Sequence, residues 1–353
     1  MKIAFIIPSL ANLGPNIVIQ TLVRHLISDY KDVIEDIVIY YFDEIKSLDF
    51  MCKAVRISEK TIIPFDYYDI IHSNGYRPDK YLYRNRKLIT KAQTVSTLHQ
   101  DIFQYFKFAY NLGVSLIFTP LWLFYLKRLN AVVPISKKIE TVYYNKLDNL
   151  TSYINNGVDL EPSKQPLRHA IVKEIQTLRA KTAVIIATYA NITKIKGLEQ
   201  LIELARARTD IGVVIIGNGK EKRSLQKIAI KSQLEDRVLF LPFLEYPYHY
   251  LKYFDLYAMP SRSEGFGLAL IEGVLSKIPI VASNIDVFKT LFDYNEISFF
   301  NLDDIKSLSD AVNYAISNKT DLIHNAYQKA EVMYTGEAMA KRYIDLYISL
   351  LNQ

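Results

Sequence analysis

Residues 254–283, FDLYAMPSRSEGFGLALIEGVLSKIPIVAS, pass from an apolar strand-like run through a polar, glycine-bearing turn into an apolar helical run and on to a second strand. Strand, helix and strand in 30 residues form the unit from which parallel sheets are wound, so this stretch decides the fold class: α/β. It also places two carboxylates, Glu264 and Glu272, on either side of Gly265-Phe266-Gly267.

The alternation continues in both directions. In the first half the candidate strands are IAFII from Ile3, DIVIYY from Asp36, DIIHS from Asp69, TVSTLH from Thr94 and AVVPIS from Ala131. The second half supplies AVIIA from Ala183, GVVIIG from Gly212 and VLFLP from Val238 before the two strands of the opening stretch. Apolar residues at helical spacing, such as Leu198, Leu201, Ile202 and Ala205, lie between them. A chain of 353 residues exceeds one ordinary core and suits two domains of roughly 150 residues each. The polar, proline-punctuated residues 158–169 are the natural boundary, which gives a Rossmann-like domain over 1–162 and a second over 163–335. Doubly wound sheets bind ligands at the carboxyl ends of their strands, so two facing domains imply an interdomain cleft.

Composition narrows the class. Half of the residues are apolar and 23% are charged, which excludes a disordered chain. Cys52 is the single cysteine, so there is no disulfide framework, and a reducing, cytoplasmic compartment is expected. The first apolar run stops at Pro8, too short for a signal-peptide core. A net charge of +6 favours an anionic partner without choosing among nucleic acid, membrane surface and phosphorylated small molecule. No nucleic-acid recognition motif is present, and no nucleic acid is expected.

Several site signatures are missing. Gly217-Asn218-Gly219 opens like a dinucleotide fingerprint, but Lys222 occupies the place of its third glycine. There is no phosphate-binding loop ending in Gly-Lys-Ser/Thr, no His-Glu-x-x-His and no Asp-x-Asp pair, so neither a metal nor another cofactor is expected. Of the histidines only His72 and His99 fall at strand ends.

The two glutamates fit one extended ligand. With a helix starting near Gly267, Glu272 lies roughly 7–8 Å along its axis while Glu264 stays in the preceding loop, about 10 Å away. Between them the free amides of Gly267 and Leu268 point from the helix N-terminus, a setting that binds phosphate. A nucleotide sugar matches, with hydroxyls at both ends and a diphosphate between. The plainer reading is that Glu264 caps a turn and Glu272 lies on a solvated helix face.

EGFGLALIE resembles the Glu-x7-Glu motif of the family-4 retaining glycosyltransferases of the GT-B fold. VVIIGNGKEKRSL from Val213, EDRVLFLPFL from Glu235, INNGVD from Ile154 and the tail YTGEAMAKRYIDLYISLL from Tyr334 are similar to the same family. The resemblance implies metal-independent, retaining transfer of a hexosyl group from a nucleotide sugar, with UDP weighted above GDP, to an acceptor hydroxyl held by the first domain. It implies further that residues 336–353 form a helix crossing back to that domain. By motif match Glu264 contacts the donor sugar, Glu272 the ribose and Lys196 the diphosphate; His99 lies near the transferred sugar, and the backbone of Gly14 approaches the donor phosphate. Gly265, Phe266, Gly267 and Leu268 complete the phosphate turn, and Phe243 or Leu244 borders the base. The family's Gly-Arg before Lys-Gly is replaced here by Ala190-Asn191, so one positive charge is absent and Lys194 is the candidate substitute. That departure motivates the alternative of a catalytically impaired GT-B chain acting as a partner or regulatory subunit.

Two segments bear on the acceptor. Residues 77–91 hold Arg77, Lys80, Arg84, Arg86, Lys87 and Lys91 against the single acid Asp79. The 19 residues 108–126 carry no charge. The length approaches a membrane span, though a buried core helix or an interfacial helix fits the sequence as well. Together they point to peripheral contact with the anionic inner face of the cell membrane and to a glycan or lipid-linked acceptor in bacterial surface polysaccharide synthesis.

Overall fold

The computed structural model describes residues 1–162 and 166–352; residues 163–165, where the sequence puts the change of domain, lie outside the described residues. Two compact units result. The N-terminal unit is Met1–Val158 with Met333–Gln353, and the C-terminal unit is Asp159–Val332.

The N-terminal unit contains strands β1 (Lys2–Leu10), β2 (Asp36–Lys46), β3 (Lys53–Arg56), β4 (Ile70–Asn74), β5 (Gln93–Leu98) and β6 (Ala131–Pro134). Its helices are α1 (Gly14–Asp29), α2 (Tyr76–Asn85), α3 (Ile102–Ala109), α4 (Leu112–Leu126) and α5 (Lys137–Tyr143). In the C-terminal unit follow α6 (His169–Arg179), β7 (Val184–Tyr189), α7 (Glu199–Ala207), β8 (Ile211–Ile216), α8 (Lys222–Lys231), β9 (Val238–Leu241) and β10 (Leu256–Met259). The chain then forms α9 (Leu268–Leu275), β11 (Ile280–Ser283), α10 (Asp286–Leu291), β12 (Ser298–Phe300), α11 (Ile305–Ser317) and α12 (Lys319–Met333), and ends in α13 (Gly336–Leu351).

Both sheets are parallel and wound alike. Their orders are β3-β2-β1-β4-β5-β6 and β12-β11-β10-β7-β8-β9, so each unit's first and fourth strands are neighbours and the winding reverses between them. Helices cover both faces of such a sheet, and central strands therefore read as unbroken apolar runs: Ile3–Ile7 in β1 and the whole of β8 are buried. The edge strands β3 and β12 are only four and three residues long, which leaves too little pattern for the sequence to announce them.

The terminal helix belongs to the N-terminal unit. On α13, Tyr347 Oη lies 2.6 Å from His72 Nδ1 and Tyr343 Oη 2.7 Å from Thr97 Oγ1; His72 Nε2 also reaches Thr97 Oγ1 at 2.7 Å. His72 is thus a buried structural tie between α13 and the sheet, and burial lowers its pKa to about 3. Where α13 begins, the loop carrying Gly157 presses so closely that a Cβ there would sit 2.5 Å from the Thr335 carbonyl oxygen.

Candidate active site

In the C-terminal unit the winding reverses between β7 and β10, and the loops leaving these two strands carry the charged candidates. After β7 the chain makes a short 3-10 turn, Lys194–Lys196, closed by Gly197 at φ 59°. A side chain at Gly197 would meet the Pro260 carbonyl oxygen at 2.2 Å, so only glycine lets this loop lie on the one that follows β10. Gln200 and Arg262 join the same two loops. Gln200 Nε2 donates to the Pro260 carbonyl at 3.0 Å, and the Arg262 amide donates to the Ile195 carbonyl at 2.8 Å.

That packing brings Lys196 and Glu264 together across 68 positions of sequence, Nζ to Oε1 at 2.6 Å. Ser261 Oγ donates to the same carboxylate oxygen at 2.7 Å. The Arg262 guanidinium turns away to pair with Asp303 and Glu199, each at 2.6 Å, and so anchors the loop behind the motif. Both Gln200 and Arg262 escape a motif search, because their partners are distant in sequence and neither residue is part of a spaced pattern.

Gly267 ends the turn at φ 93° and stands before the first residue of α9, with no side chain capping that helix. The first amides of α9 therefore have no intrahelical acceptor and carry the positive end of its dipole. Glu272, one turn further on, accepts from Tyr189 Oη at 2.7 Å. Burial raises the Glu272 pKa, and the Tyr189 hydrogen bond opposes that shift. The reading of Glu272 as a solvated helix residue is thereby set aside. Phe266 is buried, Gly265 is exposed, Leu268 is half-buried, Asn191 and Lys194 are exposed, and Phe243 is exposed while Leu244 is buried.

Gly217 and Gly219 serve loop packing. Side chains there would strike the Ala190 and Ile192 carbonyl oxygens at 2.1 and 2.2 Å. Lys222 donates to the Gly217 and Leu241 carbonyls at 2.9 and 3.0 Å, fastening the same loops. A cavity of 670 Å³ opens at the other, amino-terminal edge of this sheet, lined among others by Lys252, Asp255, Lys277 and Tyr327; it contains none of the residues above.

In the N-terminal unit the winding reverses between β1 and β4. Gly14 begins α1, and the loop before it is held by Asn16, whose Nδ2 donates to the Ser9 and Ala11 carbonyls at 3.0 and 2.9 Å. His99 follows β5. Its Nε2 is buried without a hydrogen-bond partner among the described residues, and burial lowers its pKa to about 4, so the ring is neutral at neutral pH. A buried imidazole nitrogen without a partner is uncommon, and this one stands at the carboxyl end of a strand, where doubly wound sheets bind ligands.

Of the basic segment, Arg77 pairs with Asp43 at 2.6 Å, and Arg84 and Lys80 share Glu59 at 2.7 and 3.6 Å, so three of its six cations have an acidic partner. Arg86, Lys87 and Lys91 remain exposed. Asp79 is not part of that surface. It is buried, accepting from Ser73 Oγ at 2.6 Å and Trp122 Nε1 at 2.7 Å, and its pKa is raised to about 6 by burial. The side chain of Phe108, first residue of the uncharged run, lies outside the described residues; residues 112–126 form α4. No helix among the described residues is long and apolar enough to cross a membrane.

Comparison with known proteins shows the family and the fold. Residues 172–333 match the family model of the glycosyl transferases group 1. Over 364 aligned residues the chain is 30% identical to the O-antigen biosynthesis glycosyltransferase WclY of Escherichia coli, covering 100% of this chain and 99% of that protein. The chain belongs to the group 1 glycosyltransferases. Among solved structures, Anabaena HepE in complex with UDP and glucose superposes with a TM-score of 0.77 at 17% identity, covering 99% of this glycosyltransferase and 100% of that chain. The lipopolysaccharide outer core galactosyltransferase WaaB superposes with a TM-score of 0.71 at 15% identity, covering 99% of each. At such identities the likeness concerns the fold, which is GT-B.

Proposed function

We propose that this glycosyltransferase transfers a hexosyl group from a UDP-sugar, with retention of anomeric configuration and without a metal, to a hydroxyl of a lipid-linked glycan during O-antigen synthesis at the inner face of the cell membrane. The observation that carries the reading is the placement of Lys196 and Glu264, paired at 2.6 Å, on the two loops at one winding reversal, with the uncapped start of α9 next in the chain and Glu272 of α9 held by Tyr189 at the end of β7. Cleavage of the anomeric C–O bond leaves negative charge on the diphosphate. Lys196 and the first amides of α9 offer positive charge in a fixed arrangement, which favours the transition state over the ground state. The new bond forms between the anomeric carbon and the acceptor oxygen, and the acceptor proton passes to the departing phosphate oxygen, so no strong protein base is needed. Glu264 receives the sugar hydroxyls, Glu272 the ribose hydroxyls and Phe243 the base. In the N-terminal unit His99 Nε2, buried and without a partner among the described residues, is the candidate to bind a substrate hydroxyl.

Support for the pathway is the full-length similarity to WclY, named for O-antigen biosynthesis. The test incubates the protein with labelled UDP-hexoses and a bacterial lipid extract in the presence of EDTA, with the product anomer read by NMR. Transfer with the donor's own anomeric configuration supports the reading. An inverted product, or transfer that stops on chelation, refutes the corresponding part.

A further inference from the structure

Glu272 is the one charged residue of α9, whose other residues are apolar or glycine. Among the described residues its side chain has a single hydrogen-bond partner: Tyr189 Oη donates to Oε2 at 2.7 Å, and Oε1 has none. The Ala269 carbonyl, 3.3 Å from the same hydroxyl, is the longer and uncharged alternative, so the phenol proton goes to the carboxylate. A carboxylate carried by an apolar helix resists ionisation. Burial pushes the Glu272 pKa up, and the Tyr189 bond works against that shift.

The tyrosine is itself held in place. It is the last residue of β7, the strand whose loop carries Lys196, and its ring lies 4.7 Å from that of Tyr257 on the neighbouring strand β10, tilted by 34°. Both rings are buried. Gly273, the residue after Glu272, stands against this pair: a Cβ there would lie 2.8 Å from the Tyr257 ring and 2.9 Å from Ile280. The missing side chain lets this turn of α9 settle on the two rings, which brings Glu272 within reach of Tyr189. Tyr189 and Tyr257 are the titratable groups that face Glu272, and burial raises both phenol pKa values well above their ordinary value, so both stay neutral.

We propose that Tyr189 is a positioning residue of the donor site: it fixes Glu272 by one carboxylate oxygen and leaves the other to receive ligand hydroxyls. The inference rests on the reading of Glu272 as the carboxylate that receives the ribose. Tyr189 acts through Glu272 alone, and a carboxylate already held in place has less rotamer freedom to lose when the nucleotide arrives. The ribose is remote from the reacting carbon and is bound alike in ground and transition states, so the contribution falls on affinity and KM, not on kcat.

Tyr189→Phe in the full chain keeps the ring and deletes the hydroxyl. Affinity for UDP, titrated calorimetrically, is expected to fall about tenfold and the donor KM to rise by the same factor, while kcat, followed as nucleotide release, stays within about twofold. The pH profile gives a second readout. Without its donor Glu272 takes up a proton at higher pH than in the wild type, so the acid limb of UDP affinity moves upward; UDP itself titrates alike in both measurements and drops out of the difference. Gly273→Ala, which lifts α9 from the rings, should reproduce the loss of affinity with the hydroxyl still present. Unchanged UDP affinity or an unmoved acid limb in Tyr189→Phe overturns the proposal, as does a loss carried by kcat with KM intact. Glu272→Gln is measured alongside. If it weakens UDP binding and Tyr189→Phe does not, the positioning role falls alone; if neither variant weakens binding, the ribose reading of Glu272 falls with it.

Discussion

The two units wind their sheets in the same order and furnish the reversal points in opposite ways. In the C-terminal unit the polar groups are paired: Lys196 with Glu264, Tyr189 with Glu272, Arg262 with Asp303 and Glu199. In the N-terminal unit the groups that follow the strands are desolvated instead: His99 Nε2 is buried and has no partner among the described residues, and Asp79 is buried and held by the neutral donors Ser73 and Trp122. The difference teaches that one topology can carry its polar groups as mutually neutralising pairs or as desolvated groups held by neutral donors.

The contrast breaks most severely at Lys196. Lys196→Ala removes the cation while leaving Ser261 on Glu264, and kcat/KM is expected to fall by about 10²–10³, measured as nucleotide release. A loss below tenfold would mean that the ion pair is structural. Glu272→Gln keeps a partner for Tyr189 but discards the charge; nucleotide affinity should drop by about 2 kcal/mol in a calorimetric titration, and unaltered affinity would detach Glu272 from the ribose.

The N-terminal unit is probed by acid. His72 and His99 have pKa values lowered from 6.5 to about 3 and about 4, so the stability they confer is present above pH 6.5 and is lost as pH falls. Asp79, raised from 3.8 to about 6, acts in the other direction: its contribution is present below 3.8 and is lost as pH rises through 6. Between pH 6 and 4 the unfolded unit binds two imidazole protons and the folded unit one carboxyl proton. The difference of one gives a stability loss of about 1.4 kcal/mol per pH unit toward acid. Denaturant titrations across that window check the slope. His99→Gln should flatten it and Asp79→Asn should double it; an Asp79→Asn slope equal to wild type contradicts the assignment. The smallest effect is expected at Asn191→Arg, which restores an exposed positive charge beside the donor loops and should tighten nucleotide binding by less than about 1 kcal/mol.

Much of this was legible in the sequence because parallel strands are continuous apolar runs. Ten of the strands announce themselves that way, whereas β3 and β12, short edge strands with little apolar pattern, do not. The motif from Glu264 to Glu272 was legible for another reason: its residues are local, and Gly267 sets both the turn and the helix start. What the sequence could not reveal are contacts made over long separations. Tyr189 on Glu272 spans 83 positions and Trp122 on Asp79 spans 43. Asp79 reads in sequence as the lone acid of a basic face and proves to be a buried acceptor, because helix periodicity turned it inward. The uncharged run stayed open among span, core and interface until the fold showed which residues of α4 are covered.

The most direct test of the donor surface is a calorimetric titration of UDP, with GDP and ADP as controls, into the wild-type protein and into Glu272→Ala, all in EDTA. The account predicts saturable binding of UDP by the wild type and its loss in the variant. Equal affinity in both proteins, or no binding of any nucleotide to the wild type, would contradict it.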